Sequence, residues 1–187
     1  MTYEERYQAI LREHEAVYRK LDINGLRAFM ETIRRHERIF LIGVGREGLA
    51  TRAFAMRLMH MGKEVHYLWE DTAPGIRKGD LVIATLGDGR IGHLDYICRR
   101  AKEAGGLVYV VTGSPSGQTA KTVADKVFFV PASVYRGTDE VVPSIQPMGN
   151  LFEQCLFVIF DIIIMMMVEE DPNLSFENMS GRHRNIE

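Results

Sequence analysis

The sequence contains little cysteine: Cys98 and Cys155 are the only two among 187 residues, and they lie far apart. Two distant cysteines argue against a disulfide framework and against a structural zinc site. An excess of charge of one sign is also missing, because the formal net charge is −2 at pH 7. The chain therefore lacks the basic surface that binding to nucleic acid or to an anionic membrane requires, and we expect neither partner.

Long apolar runs are scarce as well. The N-terminal stretch MTYEERYQAILREHE is charged and lacks the apolar core of a signal peptide, so we expect a cytoplasmic protein. The longest apolar run, residues 155–168, has 14 residues and is interrupted by Asp161. Because a membrane span needs about 20 apolar residues, this run predicts a buried helix, part of whose surface contacts another subunit.

Apolar runs and helical patterns alternate along most of the chain, which predicts an α/β protein with a parallel sheet covered on both faces. We predict helices over 3–36, 47–61, 91–104, 118–124 and 150–170, and strands over 38–45, 63–69, 81–86, 107–112 and 126–130. One domain accounts for residues 1–187, with N-terminal helices over 1–37, the α/β core over 38–131, a loop over 132–149 and a polar tail over 171–187.

Four loops follow predicted strands and are candidates for ligand binding, namely residues 43–48, 68–74, 85–92 and 112–117. In open α/β sheets, ligands bind at the carboxyl ends of the strands, so the fold gathers these loops at one edge. The loop TLGDGRIG, residues 85–92, has the glycines of a phosphate-binding loop. It carries Asp88, Arg90 and Ile91, however, where hydroxyl groups would help to bind an anion.

The segment GVGREG places Gly43, Gly45 and Gly48 after a strand, and an acidic residue, Glu70 or Asp71, follows about 20 positions later. This spacing matches a dinucleotide-binding motif. A long helical segment precedes the first strand, however, and no second domain is present to hold a hydride acceptor. We therefore interpret the glycines as a tight turn between a strand and a helix.

Glu153 has two interpretations. Asn150 followed by Glu153 resembles a capping box, in which the glutamate only stabilises the start of a helix. Alternatively, a carboxylate beside a cleft at the strand ends, next to apolar Phe152 and Leu156, suits a general base. His183 is either a solvated histidine of the polar tail or a functional group. The six histidines are scattered, so we predict no metal and no cofactor.

Four segments of the sequence, GVGREGLATRAFAMRLMHMG, GDLVIATLGDG, IQPMGNLFEQ and the terminal RHRNIE, resemble the sugar isomerase (SIS) domain family, and within it the 6-phospho-3-hexuloisomerases. The resemblance implies a three-layer α/β/α sandwich around a five-stranded parallel sheet of flavodoxin-like topology. It also implies a homotetramer and the conversion of a 3-hexulose 6-phosphate to fructose 6-phosphate. The chemistry would be a proton transfer between neighbouring carbons through an enediolate.

The resemblance further implies roles for individual residues. Glu153 corresponds to the base, and His183 corresponds to a tail histidine that reaches the active site of a neighbouring subunit. The residues implied for substrate binding come from both glycine loops and from the segment before the last long helix: Gly45, Arg46, Glu47, Gly87, Asp88, Gly89, Arg90, Ile91 and Gln146. Glu70 and Gly149 also match the family pattern.

Both loops depart from that pattern. The family typically has GRSG in the first loop, where this chain has Glu47 in place of the serine, and SGSGET in the second, where this chain has Leu86 to Ile91. Three interpretations follow. The chain is an isomerase that holds phosphate with Arg46, Arg90 and backbone N–H groups. It is an isomerase of a different sugar, unphosphorylated or amino-bearing. Or it is a sugar-binding or regulatory module without turnover.

Overall fold

The computed structural model describes residues 1–137 and 139–186. The strands are β1 (Arg38–Ile42), β2 (Glu64–Tyr67), β3 (Leu81–Thr85), β4 (Leu107–Thr112) and β5 (Lys126–Phe129). The helices are α1 (Tyr3–Lys20), α2 (Ile23–Arg35), α3 (Gly45–His60), α4 (Gly92–Glu103), α5 (Gln118–Thr122), α6 (Asn150–Glu170) and α7 (Phe176–Gly181). These elements agree in kind and order with the predictions from the sequence. Helix α7 is the exception, because the sequence indicated only a polar tail there.

The five strands form one parallel sheet in the order β2-β1-β3-β4-β5. This order confirms the predicted five-stranded parallel sheet and its flavodoxin-like topology. The strand order reverses between β1 and β3. The chain first adds β2 on one side of β1, and then adds β3, β4 and β5 on the other side of β1. Ile42 is paired with Ala84 at the end of the two strands, so the loops that follow β1 and β3 begin next to each other.

Side chains of alternate strand residues enter two separate cores. One core joins Leu41, Ile83 and their same-face neighbours to α2, α3 and α6. The other joins Phe40, Val82 and their neighbours to α4 and α5. Successive residues of a strand point to opposite faces, so a buried strand in a three-layer protein is apolar throughout. The apolar runs in the sequence are therefore the central layer of an α/β/α sandwich.

Helix α6 is the long apolar segment that the sequence analysis predicted. Of the described residues, it is the one helix long and apolar enough to cross a membrane, but 56% of its most apolar stretch is buried inside the protein. Phe160 stacks on Phe54 of α3, with ring centroids 4.2 Å apart. Phe157 and Met165 remain exposed on its outer side. The helix is therefore a core element with one uncovered apolar face.

The start of α6 is shaped by two residues with left-handed backbone angles, Met148 with φ 56° and Gly149 with φ 81°. Gly149 is the N-cap residue and Asn150 is already the first residue of the helix. The capping box predicted for Asn150 and Glu153 is therefore wrong. Since no side chain caps this helix, the Glu153 carboxylate is available for contacts elsewhere.

Candidate active site

A cavity of about 290 Å³ lies where the strand order reverses, at the carboxyl ends of β1 and β3. It is the place at which an open α/β sheet binds its ligands. Its walls come from the loop after β1, the loop after β3, the loop before α6 and the first turn of α6. The lining residues are Val44, Gly45, Arg46, Glu47, Gly87, Asp88, Ile91, Val134, Tyr135, Arg136, Met148, Gly149, Phe152 and Glu153.

The glycines after β1 make a close turn. A Cβ atom on Gly48 would lie 2.8 Å from the backbone of Gly43, and a Cβ on Gly43 would lie 2.3 Å from the hydroxyl of Thr85. Glycine is required at both positions because the chain passes against itself and against β3. This contact accounts for two glycines of the GVGREG motif and agrees with the interpretation as a tight turn.

Glu153 and Arg46 form an ion pair inside this cavity. The Nε atom of Arg46 donates a hydrogen bond of 2.5 Å to Oε2 of Glu153. The Glu153 side chain is 16% exposed and that of Arg46 is 60% exposed. Phe152, which is buried, lines the cavity beside them. The carboxylate is thus held between an apolar wall and an exposed guanidinium, a suitable environment for accepting a proton from carbon.

Glu47 turns its carboxylate toward the loop after β3. Its Oε2 atom accepts a hydrogen bond of 2.8 Å from the backbone N–H of Gly87. Burial raises the pKa of Glu47 to about 8. The Gly87 N–H lowers this pKa, while the charges of Asp88 and Glu153 raise it further. Glu47 is therefore mostly uncharged near neutral pH.

Asp88 also binds the backbone of its own loop. Its Oδ1 atom accepts a hydrogen bond of 3.1 Å from the N–H of Arg90. The guanidinium of Arg90 is exposed and, within the described residues, forms no ion pair with Asp88. Glu47 and Asp88 together accept hydrogen bonds from two N–H groups of the glycine loop, those of Gly87 and Arg90.

Four of the predicted site residues do not line the cavity. Gly89 has φ 65° and packs against Gly117. It therefore allows the loop after β3 to contact the loop after β4. Arg90 points outward. Gln146 donates to Glu13 of α1 at 3.1 Å and accepts from Gln154 at 2.8 Å.

His183 lies at the opposite end of helix α3 from the cavity. Its ring is 5.2 Å from that of His60, the last residue of α3, whereas Arg46 is in the first turn of that helix. His60 follows Arg46 by 14 positions along the α-helix, a rise of about 21 Å. Within one chain, His183 is therefore distant from Glu153.

The sequence analysis named Gln146 and Gly149 in the loop before α6, but it missed three other residues of that loop. Tyr135, Arg136 and Met148 line the cavity, and the Arg136 guanidinium lies over the Tyr135 ring at 5.0 Å from its centroid. The sequence shows only a loop with proline and glycine punctuation here. The segment YRG shows an aromatic residue next to a cation. No sequence spacing indicates that these residues meet the loops after β3 and β1, which lie almost 50 and 90 residues earlier.

Comparison with known proteins adds a family to this geometry. The SIS domain model matches residues 32–135, more than half of the chain. A 3-hexulose-6-phosphate isomerase of Bacillus subtilis is 38% identical over 149 residues, which cover 80% of this chain and 80% of the relative. The isomerase of the same name from Mycobacterium gastri is 33% identical over 168 residues, which cover 90% of this chain and 83% of the relative.

A solved structure agrees with these relatives. A protein of Methanococcus jannaschii, for which a 3-hexulose-6-phosphate isomerase function was inferred, has a TM-score of 0.84 and 26% identity, covering 98% of this chain and 99% of that one. The family match, the relatives and the shared fold all point the same way. The chain belongs to the SIS domain family and is related to its 3-hexulose-6-phosphate isomerases.

Proposed function

We propose that the protein is a sugar isomerase that moves a proton between neighbouring carbons of a ketose through an enediolate, with Glu153 as the base. The observation that carries this proposal is the Glu153 carboxylate, which opens into the cavity at the strand ends and is held there by Arg46. The relatives named 3-hexulose-6-phosphate isomerase support the reaction class.

The geometry suits each step of such a transfer. The carboxylate of Glu153 removes the proton from the carbon next to the carbonyl, and the electron pair of the C–H bond moves into the enediolate. The same carboxylic acid then returns the proton to the neighbouring carbon. Arg46 is largely exposed, so its guanidinium can swing from Glu153 to the oxygen on which negative charge develops. Phe152 keeps water from one side of the base.

The hydroxyl and carbonyl oxygens also need a group that moves a proton between them, and we assign this role to His183 of the partner subunit in a homotetramer. The distance along α3 supports a contribution from another chain. So does the exposed apolar surface next to the site. Arg46 and Glu153 line a second hollow together with Leu49 and Phe157, both of which are exposed. We place this assembly in the cytoplasm.

Solvent deuterium exchange tests the proposal. The native chain is incubated in D2O with fructose 6-phosphate and, separately, with fructose, and deuterium at C3 is measured by NMR. An enediolate between C2 and C3 requires incorporation at C3. We expect Glu153→Gln to lower exchange by at least about 100-fold. Glu169→Gln, an exposed glutamate near the end of the same helix, is the matched control and should leave exchange unchanged.

Two outcomes would contradict the proposal. Exchange that persists in Glu153→Gln would show that another group is the base. Binding of a sugar by the native chain without any exchange at C3 would favour a binding or regulatory protein without turnover.

A further inference from the structure

The glycine loop after β3 has the backbone of an anion-binding loop, but three of its N–H groups already have acceptors. A loop of this kind binds phosphate by pointing several free N–H groups at the anion. Here the N–H of Gly87 donates to Glu47 at 2.8 Å, and that of Arg90 donates to Asp88 at 3.1 Å. The N–H of Gly89 donates to the carbonyl oxygen of Leu86 at 3.3 Å.

The hydroxyl groups nearest this loop are engaged as well. Thr85 shares a hydrogen bond of 2.7 Å with Thr51, and both side chains are buried. Thr112 donates to the carbonyl oxygen of Gly87 at 3.1 Å. The first turn of α4 still has backbone N–H groups without a side-chain cap, but the loop that leads into it carries the Asp88 carboxylate. A phosphate dianion at this end of the cavity would find no free N–H group on Gly87, Gly89 or Arg90, and it would lie beside the Asp88 carboxylate.

What this end of the cavity offers is carboxyl oxygens, one set from Glu47, which is mostly protonated near neutral pH, and one from Asp88. The second oxygen of Glu47 and the second oxygen of Asp88 both belong to side chains that line the cavity. Their natural partners are hydroxyl groups, which can accept a hydrogen bond from the protonated Glu47 and donate one to Asp88 without bringing a charge. A cationic ligand is opposed by Arg46 and Arg136, which line the same cavity. The raised pKa of Glu47 weakens the attraction for a cation further.

We infer that the loop binds an uncharged, hydroxylated end of the sugar, and that Glu47 and Asp88 select an unphosphorylated substrate over a phosphorylated one. This inference deepens the proposed function and relies on it only for the assignment of the cavity as the sugar site. The recognition step itself requires no turnover, so binding and exchange can be measured separately.

The test compares three ligands that differ only at C6: fructose, fructose 6-phosphate and 6-amino-6-deoxyfructose. Binding to the native chain is measured by calorimetry at one fixed ionic strength. We expect fructose to bind at least about tenfold more tightly than each of the other two. The double variant Glu47→Ser with Asp88→Ser frees the loop N–H groups and removes both carboxylates. It should raise the affinity for fructose 6-phosphate relative to fructose by at least about tenfold.

Two further variants guard the interpretation. Glu103→Ser with Glu169→Ser replaces two glutamates at exposed positions outside the cavity, and should leave the affinity ratio unchanged. If the serine pair at the site does not fold, Glu47→Gln with Asp88→Asn keeps the side-chain shapes and replaces both carboxyl groups with amides. This pair should still shift the ratio toward fructose 6-phosphate by at least about threefold.

Tighter binding of fructose 6-phosphate or of the amino sugar by the native chain would overturn the inference, and so would the absence of measurable fructose binding. An affinity ratio that neither site pair changes would also overturn it. The proposed function can fail independently. A chain that prefers fructose but exchanges no proton at C3 keeps the inference and loses the isomerase, whereas one that prefers and exchanges fructose 6-phosphate does the reverse.

Discussion

The Nε atom of Arg46 lies 2.5 Å from Oε2 of Glu153, although 107 positions of sequence separate the two residues. The contact joins the first turn of α3 to the first turn of α6 across the cavity. A largely buried carboxylate that faces an exposed guanidinium is held more firmly than its partner, which can move. This asymmetry supports the proposed roles, in which Glu153 is the fixed base and Arg46 is the group that can move.

Replacing Arg46 should therefore slow exchange of the C3 proton more than it weakens binding. We expect Arg46→Gln to lower the exchange rate at saturating sugar by about 100-fold, as for the loss of a donor to a developing oxyanion. Arg46→Lys keeps the charge and should recover part of this loss. Arg12→Gln, an exposed arginine on α1, is the control. Equal rates for the native chain and Arg46→Gln would remove Arg46 from the mechanism.

Glu47 should make the protein less stable as the pH rises. Its pKa is about 8 in the folded chain against 4.5 in the unfolded chain, so the folded chain binds more protons between these values. Stability contributed by the protonated carboxyl is thus present below pH 4.5 and lost as the pH rises to about 8. In urea denaturation from pH 5 to 8, the gain of Glu47→Gln over the native chain should grow by up to about 1.4 kcal/mol per pH unit. Parallel curves for the two proteins would contradict this.

The sequence predicted the fold well because the sheet is buried on both faces. Each buried strand must then be apolar throughout. A short apolar run such as Ile39 to Ile42, followed directly by glycines, therefore indicates a buried strand. The short helix α7 was missed because a polar segment of six residues has little periodicity to detect. The apolar runs already predicted five strands, and the resemblance to a known family added their flavodoxin-like topology.

The site was harder to predict because its decisive contacts join distant segments. The sequence pattern of Asn150 and Glu153 does not tell whether Asn150 is the N-cap or the first residue of the helix. The left-handed backbone of Gly149 makes Gly149 the N-cap. The sequence also placed Glu47 beside the loop after β3, but not its hydrogen bond to Gly87, 40 positions away. That bond is set by the pairing of β1 with β3, which no local pattern encodes.

Gly89 should matter for folding rather than for ligand contact. Its φ of 65° and the approach of a Cβ to within 2.9 Å of Gly117 both oppose a side chain. We expect Gly89→Ala to lower the free energy of unfolding by about 1–3 kcal/mol. Gly92→Ala, at a position where a Cβ meets nothing within 4 Å, should be neutral or slightly stabilising. Equal stability of both variants in urea denaturation would mean that the loop adapts.

The pair formed by Arg38 and Asp80 should be the most important ion pair for stability. Asp80 is nearly buried and accepts two hydrogen bonds from Arg38, at 2.9 and 2.7 Å, and one from the N–H of Arg77. We expect Asp80→Asn to lower the melting temperature by about 5 °C or more, because Arg38 loses its partner. Glu15→Gln, which breaks the exposed pair with Arg19, should change it by less than about 2 °C. Similar shifts would place the stabilisation elsewhere.

The apolar surface beside the site should be an interface between subunits. Phe157 is 48% exposed on α6, next to Leu49 and the ion pair of the cavity, whereas Tyr96 is 64% exposed on α4 in the opposite layer. In sedimentation at micromolar concentration, we expect the native chain to be a tetramer and Phe157→Glu to give smaller species, because a charge at an apolar interface lacks solvation. Tyr96→Glu should leave the assembly intact. If His183 of the partner subunit completes the site, the dissociated variant also loses exchange at C3 while its melting curve stays cooperative. A monomeric native chain with full exchange activity would contradict both parts.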